Sequence, residues 1–257
     1  MRRAARVCLL LLSFVPALAW AQPKSVFIAD LTWPEVKQAI ARGKTTAIYY
    51  AGSTEQNGPH LALGKHNVIA SYVAGRVAEQ LGNALVYPVL PFAPTGDHMK
   101  FPGTVSLADK TFAAVAREVA ASMLSAGFRN VVLMGDHGGG QQALKQVASE
   151  LDNEWRSKGA RAYYIGDAYY KSQDEVRQYL AKRNLPAGEH AGIEDTSELM
   201  FLDREQKWIR RDQLARGDAK SGVDGDPRLA SAELGKAFLD IKVAAAVAQI
   251  RNLVGKP

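Results

Sequence analysis

The sequence predicts an α/β protein, a three-layer α/β/α sandwich in which helices cover both faces of a largely parallel central sheet. Short apolar runs alternate along the chain with longer segments of helical periodicity, as they do when helices connect parallel strands. The chain has 257 residues, of which 47% are hydrophobic and 23% charged, so it can bury one sizeable core. We therefore expect a single domain.

Capping and stop signals bound the first elements. Thr32-Trp33-Pro34-Glu35 has the spacing of a capping box at the start of a helix, and Gly43 ends that helix. A short buried strand follows at 45–51. A second helix is predicted to begin at Asn67, because apolar residues then recur on one helical face, and to end at Gly82.

The later elements repeat the same alternation of strand and helix. The final third of the chain is predicted to be mostly helical. The predicted elements are a strand at 85–90, a helix at 109–126, a strand at 130–134, a helix at 141–157, a strand at 160–165 and a last helix at 230–253.

The N-terminus has the pattern of a secretory signal peptide. Three arginines precede an apolar run at 7–18, and Ala19-Trp20-Ala21 offers small residues where signal peptidase cleaves. Cleavage after Ala21 is expected to leave a single domain, residues 22–257, in the periplasm or outside the cell. A retained membrane anchor is the alternative, but the run is shorter than the roughly 20 residues that span a bilayer.

Charge and cysteine content argue against two classes of function. Loss of residues 1–21 removes three arginines and lowers the formal net charge from +6 to +3, so nucleic-acid binding is not indicated. The single cysteine, Cys8, lies in the signal peptide. The exported chain would therefore have neither a disulfide nor a cysteine nucleophile, which suits an oxidising compartment.

Histidines and carboxylates concentrate in the loops that follow the predicted strands. In open α/β sheets, ligands bind beyond the carboxyl ends of the strands. Each such residue alone is also consistent with a hydrogen-bonded loop or a helix cap. Together they supply imidazole and carboxylate, two kinds of metal ligand, from separate loops. All five histidines lie in four clusters, at 52–66, 94–104, 135–140 and 190–197.

Four motifs, in this order along the chain, resemble the creatininase (creatinine amidohydrolase) family. They are G-S-T-E-Q-x-G-P-H-L-x-L-G at 52–64, F-P-G-T at 101–104, H-G-G at 137–139 and H-A-G-x-x-D-T-S at 190–197. The resemblance implies the α/β/α sandwich, hydrolysis or formation of amide bonds in small and often cyclic molecules, divalent metals such as zinc or manganese, and frequently a homo-oligomer, the hexamer.

The resemblance also implies roles for single residues. Glu55 and His137 match metal ligands of the family, and Asp195 stands where the family usually has a ligand glutamate. His190 matches a histidine linked to proton transfer, and the ordinary imidazole pKa suits that exchange.

Three positions depart from the family pattern. Asn57 replaces a histidine ligand with a weaker neutral donor, and His66 stands where the family has an aspartate that bridges two metals. Because a neutral imidazole offers a metal one lone pair, His66 can bind one ion but not bridge two. Asp136 adds a carboxylate next to a predicted ligand. It either compensates for the changes at positions 57 and 66 or only stabilises a turn. We expect one ion, held by Glu55, His66, His137 and Asp195.

The predicted function is an exported, metal-dependent hydrolase that acts on the amide bond of a small, cyclic molecule. The metal would activate a water and polarise a carbonyl group, and His190 would move a proton to the leaving nitrogen. His60 and His98 would orient the substrate or simply brace their loops. Lactones are an alternative substrate class. The alternative function is a non-catalytic periplasmic binding or scaffold protein that keeps the fold.

Overall fold

A parallel sheet of four strands lies at the centre of the fold, in the order β2-β1-β3-β4. The strands are β1 (Thr46–Ala51), β2 (Ala84–Val86), β3 (Asn130–Gly135) and β4 (Arg161–Tyr164). Strand β1 pairs with β3 along its whole length, and Ala51 lies opposite Gly135 at the carboxyl end. The loops that follow these two strands therefore leave the sheet side by side.

The structure is a computed structural model that describes residues 25–188, 190–218 and 220–255. The predicted signal peptide and its cleavage site lie outside these residues. Within the described ranges, no helix is both long enough and apolar enough to cross a membrane.

Helices cover both faces of the sheet. One layer packs on Tyr49 and Leu133, and the other packs on Ile48 and Val132, because successive strand side chains point to opposite faces. This arrangement is the three-layer sandwich that the sequence predicts. The helices are α1 (Trp33–Ala41), α2 (Lys65–Leu81), α3 (Asp109–Ser125), α4 (Gln141–Trp155), α5 (Tyr170–Ala181), α6 (Ile193–Leu202) and α7 (Ala232–Val254). Helices α1, α3 and α4 form the first layer, and α2 and α7 form the second.

Most element boundaries lie within two residues of the predictions, and two of the differences affect the description of the site and the sheet. Helix α2 begins at Lys65, two residues before the predicted start at Asn67, so its first turn carries Lys65 and His66. Strand β2 ends at Val86, whereas the prediction extended it to residue 90. Pro88 has no N–H group to continue the ladder, and beyond it only an isolated bridge joins Leu90 to Ala51.

Helices α6 and α7 approach each other closely. A Cβ atom added at Gly235 of α7 would lie 1.8 Å from the carbonyl oxygen of Ser197 in α6, so only glycine fits there. Helix α6 carries Asp195 and Glu198 near the carboxyl edge of the sheet, and α7 carries Lys242. The tight contact between the two helices therefore fixes charged residues from both.

Candidate active site

A polar cavity of about 720 Å³ opens at the carboxyl end of the sheet. Its lining comes from the first turn of α2, the loops after β2 and β3, and parts of α5, α6 and α7. Four of the five histidines line it, namely His66, His98, His137 and His190. These four histidines thus converge as predicted, whereas the side chain of His60 does not reach the cavity.

Glu55 lies buried at the centre of the histidine group. Its Oε1 atom is 3.0 Å from Nε2 of His66, and its Oε2 atom is 2.8 Å from Nε2 of His137. Burial acts to raise the pKa of Glu55, but the contacts from His137 and His66 outweigh burial and hold the pKa well below its usual range. Glu55 is therefore a charged carboxylate at neutral pH.

Three of these side chains form a group able to hold a metal ion. Glu55, His98 and His137 each offer a ligand atom, and these atoms lie within 4.8 Å of one another. Two imidazole nitrogens and one carboxylate oxygen are a donor set of catalytic zinc sites, in which a fourth position remains for water. Oε2 of Glu55 is buried and has no hydrogen bond of acceptable geometry within the described ranges. A buried carboxylate and two imidazoles thus bring three ligand atoms of suitable types together, so the group fits a divalent cation.

The turn after β3 orients His137. The backbone N–H of Gly139 donates to Nδ1 of His137 at 2.9 Å. A Cβ at Gly139 would lie 1.8 Å from the carbonyl oxygen of Pro94, so this glycine lets the turn press against the loop that carries His98. Nδ1 therefore acts as the acceptor of this hydrogen bond, and Nε2 faces Glu55.

The group of three contains His98, whereas the sequence analysis predicts His66 and Asp195 beside Glu55 and His137. His66 has both ring nitrogens engaged by carboxylates, because Nδ1 is 2.7 Å from Oδ2 of Asp136 while Nε2 faces Glu55. Burial and the charge of Lys65 act to lower the pKa of His66, but the two carboxylates outweigh them and raise it. His66 therefore orients Glu55 in this structure.

Asp136 connects His66 to a buried lysine. Its Oδ1 atom accepts a hydrogen bond from Nζ of Lys242 at 3.2 Å, and Lys242 also donates to Glu198 at 3.1 Å. Burial acts to raise the pKa of Asp136, but Lys242 and His66 lower it to about 2. Asp136 is thus the carboxylate that holds His66, a role that neither of the two interpretations from the sequence includes.

Asp195 is paired with Lys65, the first residue of α2. Nζ of Lys65 donates to Oδ2 of Asp195 at 2.6 Å, and the N–H of Ala191 donates to the same oxygen at 2.8 Å. Burial acts to raise the pKa of Asp195, but the charge of Lys65 outweighs it and holds the pKa well below its usual range. The sequence motifs predict no role for Lys65 or Lys242. Two sequence features could have indicated such roles. Lys242 lies in an apolar stretch of α7, and Lys65 lies in the first turn of α2.

Gln56 joins His98 to His190. Its Nε2 atom lies 2.9 Å from Nδ1 of His98 and 2.9 Å from Nε2 of His190, and the two rings stack with centroids 4.4 Å apart. Nδ1 of His190 is 4.0 Å from Oε1 of Glu55. Burial and, second, the charge of Lys65 lower the pKa of His190 to about 4. His190 is therefore neutral at neutral pH, and its pKa lies below the ordinary imidazole value on which the predicted proton exchange was based.

His60 and Asn57 support the loop after β1. His60 is buried outside the cavity lining, and its Nε2 atom is 2.9 Å from Oγ1 of Thr196, which corresponds to the bracing role that the sequence left open. Asn57 is buried as well, and its amide donates to the carbonyl oxygen of Glu55 at 2.9 Å. Asn57 therefore fixes the backbone at Glu55.

The chain is similar to known proteins over most of its length. Residues 29–250 match the sequence model of the Creatininase family, described as creatinine amidohydrolase. Creatinine amidohydrolase of Pseudomonas putida is 29% identical over 191 residues, which cover 70% of this chain and 72% of that protein. Mycofactocin precursor peptide peptidase of Mycolicibacterium smegmatis is 31% identical over 185 residues, 70% of this chain and 66% of that protein.

Among solved structures, one described as "Creatininase Mn" has a TM-score of 0.76 and 25% identity. The match covers 90% of this chain and 100% of that one. This similarity confirms the fold class that the sequence predicts.

Proposed function

Because this chain belongs to the creatininase family, we propose that it is a metal-dependent amidohydrolase whose divalent ion is held by Glu55, His98 and His137. The observation that carries the proposal is this group of three ligand atoms within 4.8 Å of one another, beside a polar cavity. Zn²⁺ and Mn²⁺ both accept nitrogen and oxygen ligands, so either ion suits the group. The relatives named as a hydrolase and a peptidase support the same reaction class.

The side chains around the ion would orient one another and transfer a proton during the reaction. A divalent ion in such a site supplies an activated water and polarises the carbonyl group of the substrate. His190, neutral at neutral pH, accepts a proton in the cavity and passes it to the leaving nitrogen. Gln56 fixes the rings of His98 and His190 relative to each other. Glu55 remains anionic throughout, since its pKa is well below the usual range.

The proposed substrate is a small molecule with an amide bond, and a cyclic amide is the first one to test. A cavity of about 720 Å³ lies within the range of small-molecule sites. A second cavity of about 490 Å³ shares Asp97, His98, His190 and Asp224 with the first. This additional room favours short peptides as the second class to test, as does the relative that is a peptide peptidase.

Metal analysis combined with a substrate panel tests the proposal. The purified protein should contain a stoichiometric divalent ion and hydrolyse at least one member of a panel of cyclic amides, linear amides, short peptides and lactones. A chelator should abolish the activity, and Zn²⁺ or Mn²⁺ should restore it. Glu55→Gln serves as the inactive control. A folded protein without a stoichiometric ion and without turnover would contradict the proposal and favour the scaffold alternative.

We also propose that the protein is exported to the periplasm or the medium and forms a homo-oligomer. Export is supported by the charged, apolar and small-residue segments of residues 1–21. The hexamer is the assembly implied by the family resemblance. Intact-mass analysis of the exported protein should find Gln22 as the first residue, and retention of Met1 would contradict cleavage. Light scattering of the same sample gives the number of subunits.

A further inference from the structure

Carboxylates other than the buried Glu55 line the cavity. Asp136 and Asp195 both line the cavity close to the histidine group. Carboxylate oxygens are ligands for divalent ions, so a pair beside a metal centre is a potential second cation site. In this chain, however, each of the two carboxylates contacts a buried lysine.

The position of Lys65 is unusual for a lysine in two respects, its burial and its place at the start of a helix. Its side chain has no exposed surface, although a charged ammonium group is rarely buried without a partner. It is also the first residue of α2, where the helix dipole disfavours a positive charge. A residue that violates two local rules is usually retained for a specific interaction. Here the interaction is the 2.6 Å contact with Oδ2 of Asp195.

We propose that the ammonium group of Lys65 takes the place of a second metal ion, so that this active site works with one divalent ion and one fixed ammonium group. The proposal rests on the proposed function, because it assumes an ion at Glu55, His98 and His137. It assigns Lys65 as a positioning residue that withdraws Asp195 from metal binding.

Charge and burial explain why Lys65 excludes a second ion. Oδ2 of Asp195 already accepts hydrogen bonds from Lys65 and Ala191, so this oxygen is engaged by two donors and is not free for a divalent cation. A cation bound by Asp195 would also lie near the ammonium group and be repelled by it. Lys65 is not free to move aside, because its side chain is fully buried whereas that of Asp195 is 18% exposed.

Lys242 acts on Asp136 in the same way. It donates to Oδ1 of Asp136, while Oδ2 of Asp136 holds His66. Neither oxygen of Asp136 is left for an ion. The two lysines thus balance both carboxylates, and only Glu55 remains available as an anionic ligand in the group of three.

Counting the Mn²⁺ ions bound by charge-removing variants tests the proposal. The wild-type protein should bind one Mn²⁺ per chain. Lys65→Met keeps the apolar stem but removes the charge, and should bind a second Mn²⁺ at least 10-fold more tightly than the wild type does. In the double variant Lys65→Met/Asp195→Asn the second site should be lost again, because the carboxylate is gone. Isothermal titration and elemental analysis give the stoichiometry. Electron paramagnetic resonance separately distinguishes isolated Mn²⁺ from an exchange-coupled pair.

The proposal would be wrong if each wild-type chain bound two ions firmly. It would also be wrong if the Lys65→Met variant folded but still bound only one ion. If Lys65→Met does not fold, Lys65→Gln is used in the same titrations, and the wild-type count still stands as a test. If the proposed function itself is wrong, the result is different, because neither the wild type nor any variant would then bind a stoichiometric ion. Circular dichroism of each variant verifies the fold.

Discussion

The stacked rings of His98 and His190 share one hydrogen-bonding group, the side-chain amide of Gln56. One ring belongs to the group that can hold a metal ion, and the other is the proposed proton carrier. The same amide also lies 3.2 Å from the carbonyl oxygen of Gly222. A single residue therefore sets the orientation of both functional histidines.

Replacing Gln56 by methionine should weaken both functions. The variant keeps the volume of the side chain but loses the amide, so both rings gain rotational freedom. We expect a fall of roughly 10- to 100-fold in metal affinity, the usual effect of losing a residue that orients a ligand, together with lower kcat/KM. Metal titration and steady-state kinetics measure the two effects. Gln146→Met, on the exposed surface of α4, is the matched control and should change neither.

His190→Ala should separate proton transfer from metal binding. We expect turnover to fall by roughly 10²- to 10⁴-fold while the bound metal stays nearly unchanged, because His190 is outside the group of three ligands. Elemental analysis and kinetics on the same preparation give the answer. Loss of the ion in this variant would make His190 a ligand.

The metal affinities of two histidine variants decide between the predicted and the observed ligand sets. His66→Ala removes a ring that holds Glu55 and Asp136, so metal affinity should fall by roughly 10- to 100-fold. His98→Ala removes a ligand of the group itself and should lower the affinity further. Titration with Zn²⁺ under identical conditions compares the two. The reverse order would return His66 to the ligand set.

Asp152→Asn should reduce stability at neutral pH but not in strong acid. Asp152 accepts hydrogen bonds from Arg161, Arg156 and the N–H of Ala162, and so ties the end of α4 to β4. Burial acts to raise its pKa, but the arginines lower it to about 2, below the value of about 3.9 in unfolded chains. The stabilisation is therefore complete above about pH 4 and is lost as the pH falls toward 2.

The expected loss at pH 7 is about 1 to 3 kcal/mol, the usual range for charged hydrogen bonds. Urea unfolding of wild type and variant at several pH values between 7 and 2.5 measures the difference. Asp174→Asn on the exposed face of α5 is the control. A stability difference that is as large at pH 2.5 as at pH 7 would show that the charge of Asp152 is not its cause.

The layers of the fold and part of the site follow from local patterns. Apolar periodicity locates the four strands and five of the helices to within a few residues, since burial of one face dictates that spacing, whereas α5 and α6 are predicted only as a mostly helical final third. Glu55, His137 and His190 stand in motifs that resemble the family, and the structure brings them together. Strand β2 is too long in the prediction because apolar residues continue past Pro88.

The pairings within the site could not be predicted from the sequence. Lys65 meets Asp195 across 130 positions, and Gln56 meets His190 across 134. Local periodicity contains no information about such contacts. The loop that carries His98 packs against the glycine turn at Gly139 through Pro94, and such a fit depends on backbone shape rather than on composition.

The order of the site residues along the chain has a consequence for biosynthesis. The three ligands of the metal group are all present by residue 137, whereas Lys242 lies in the last helix, 106 positions after its partner Asp136. A nascent chain therefore acquires its metal ligands long before it acquires the lysine that balances Asp136. Until α7 packs against the sheet, Asp136 lacks the lysine that pairs with it in the folded site. Docking of α7 supplies that charge.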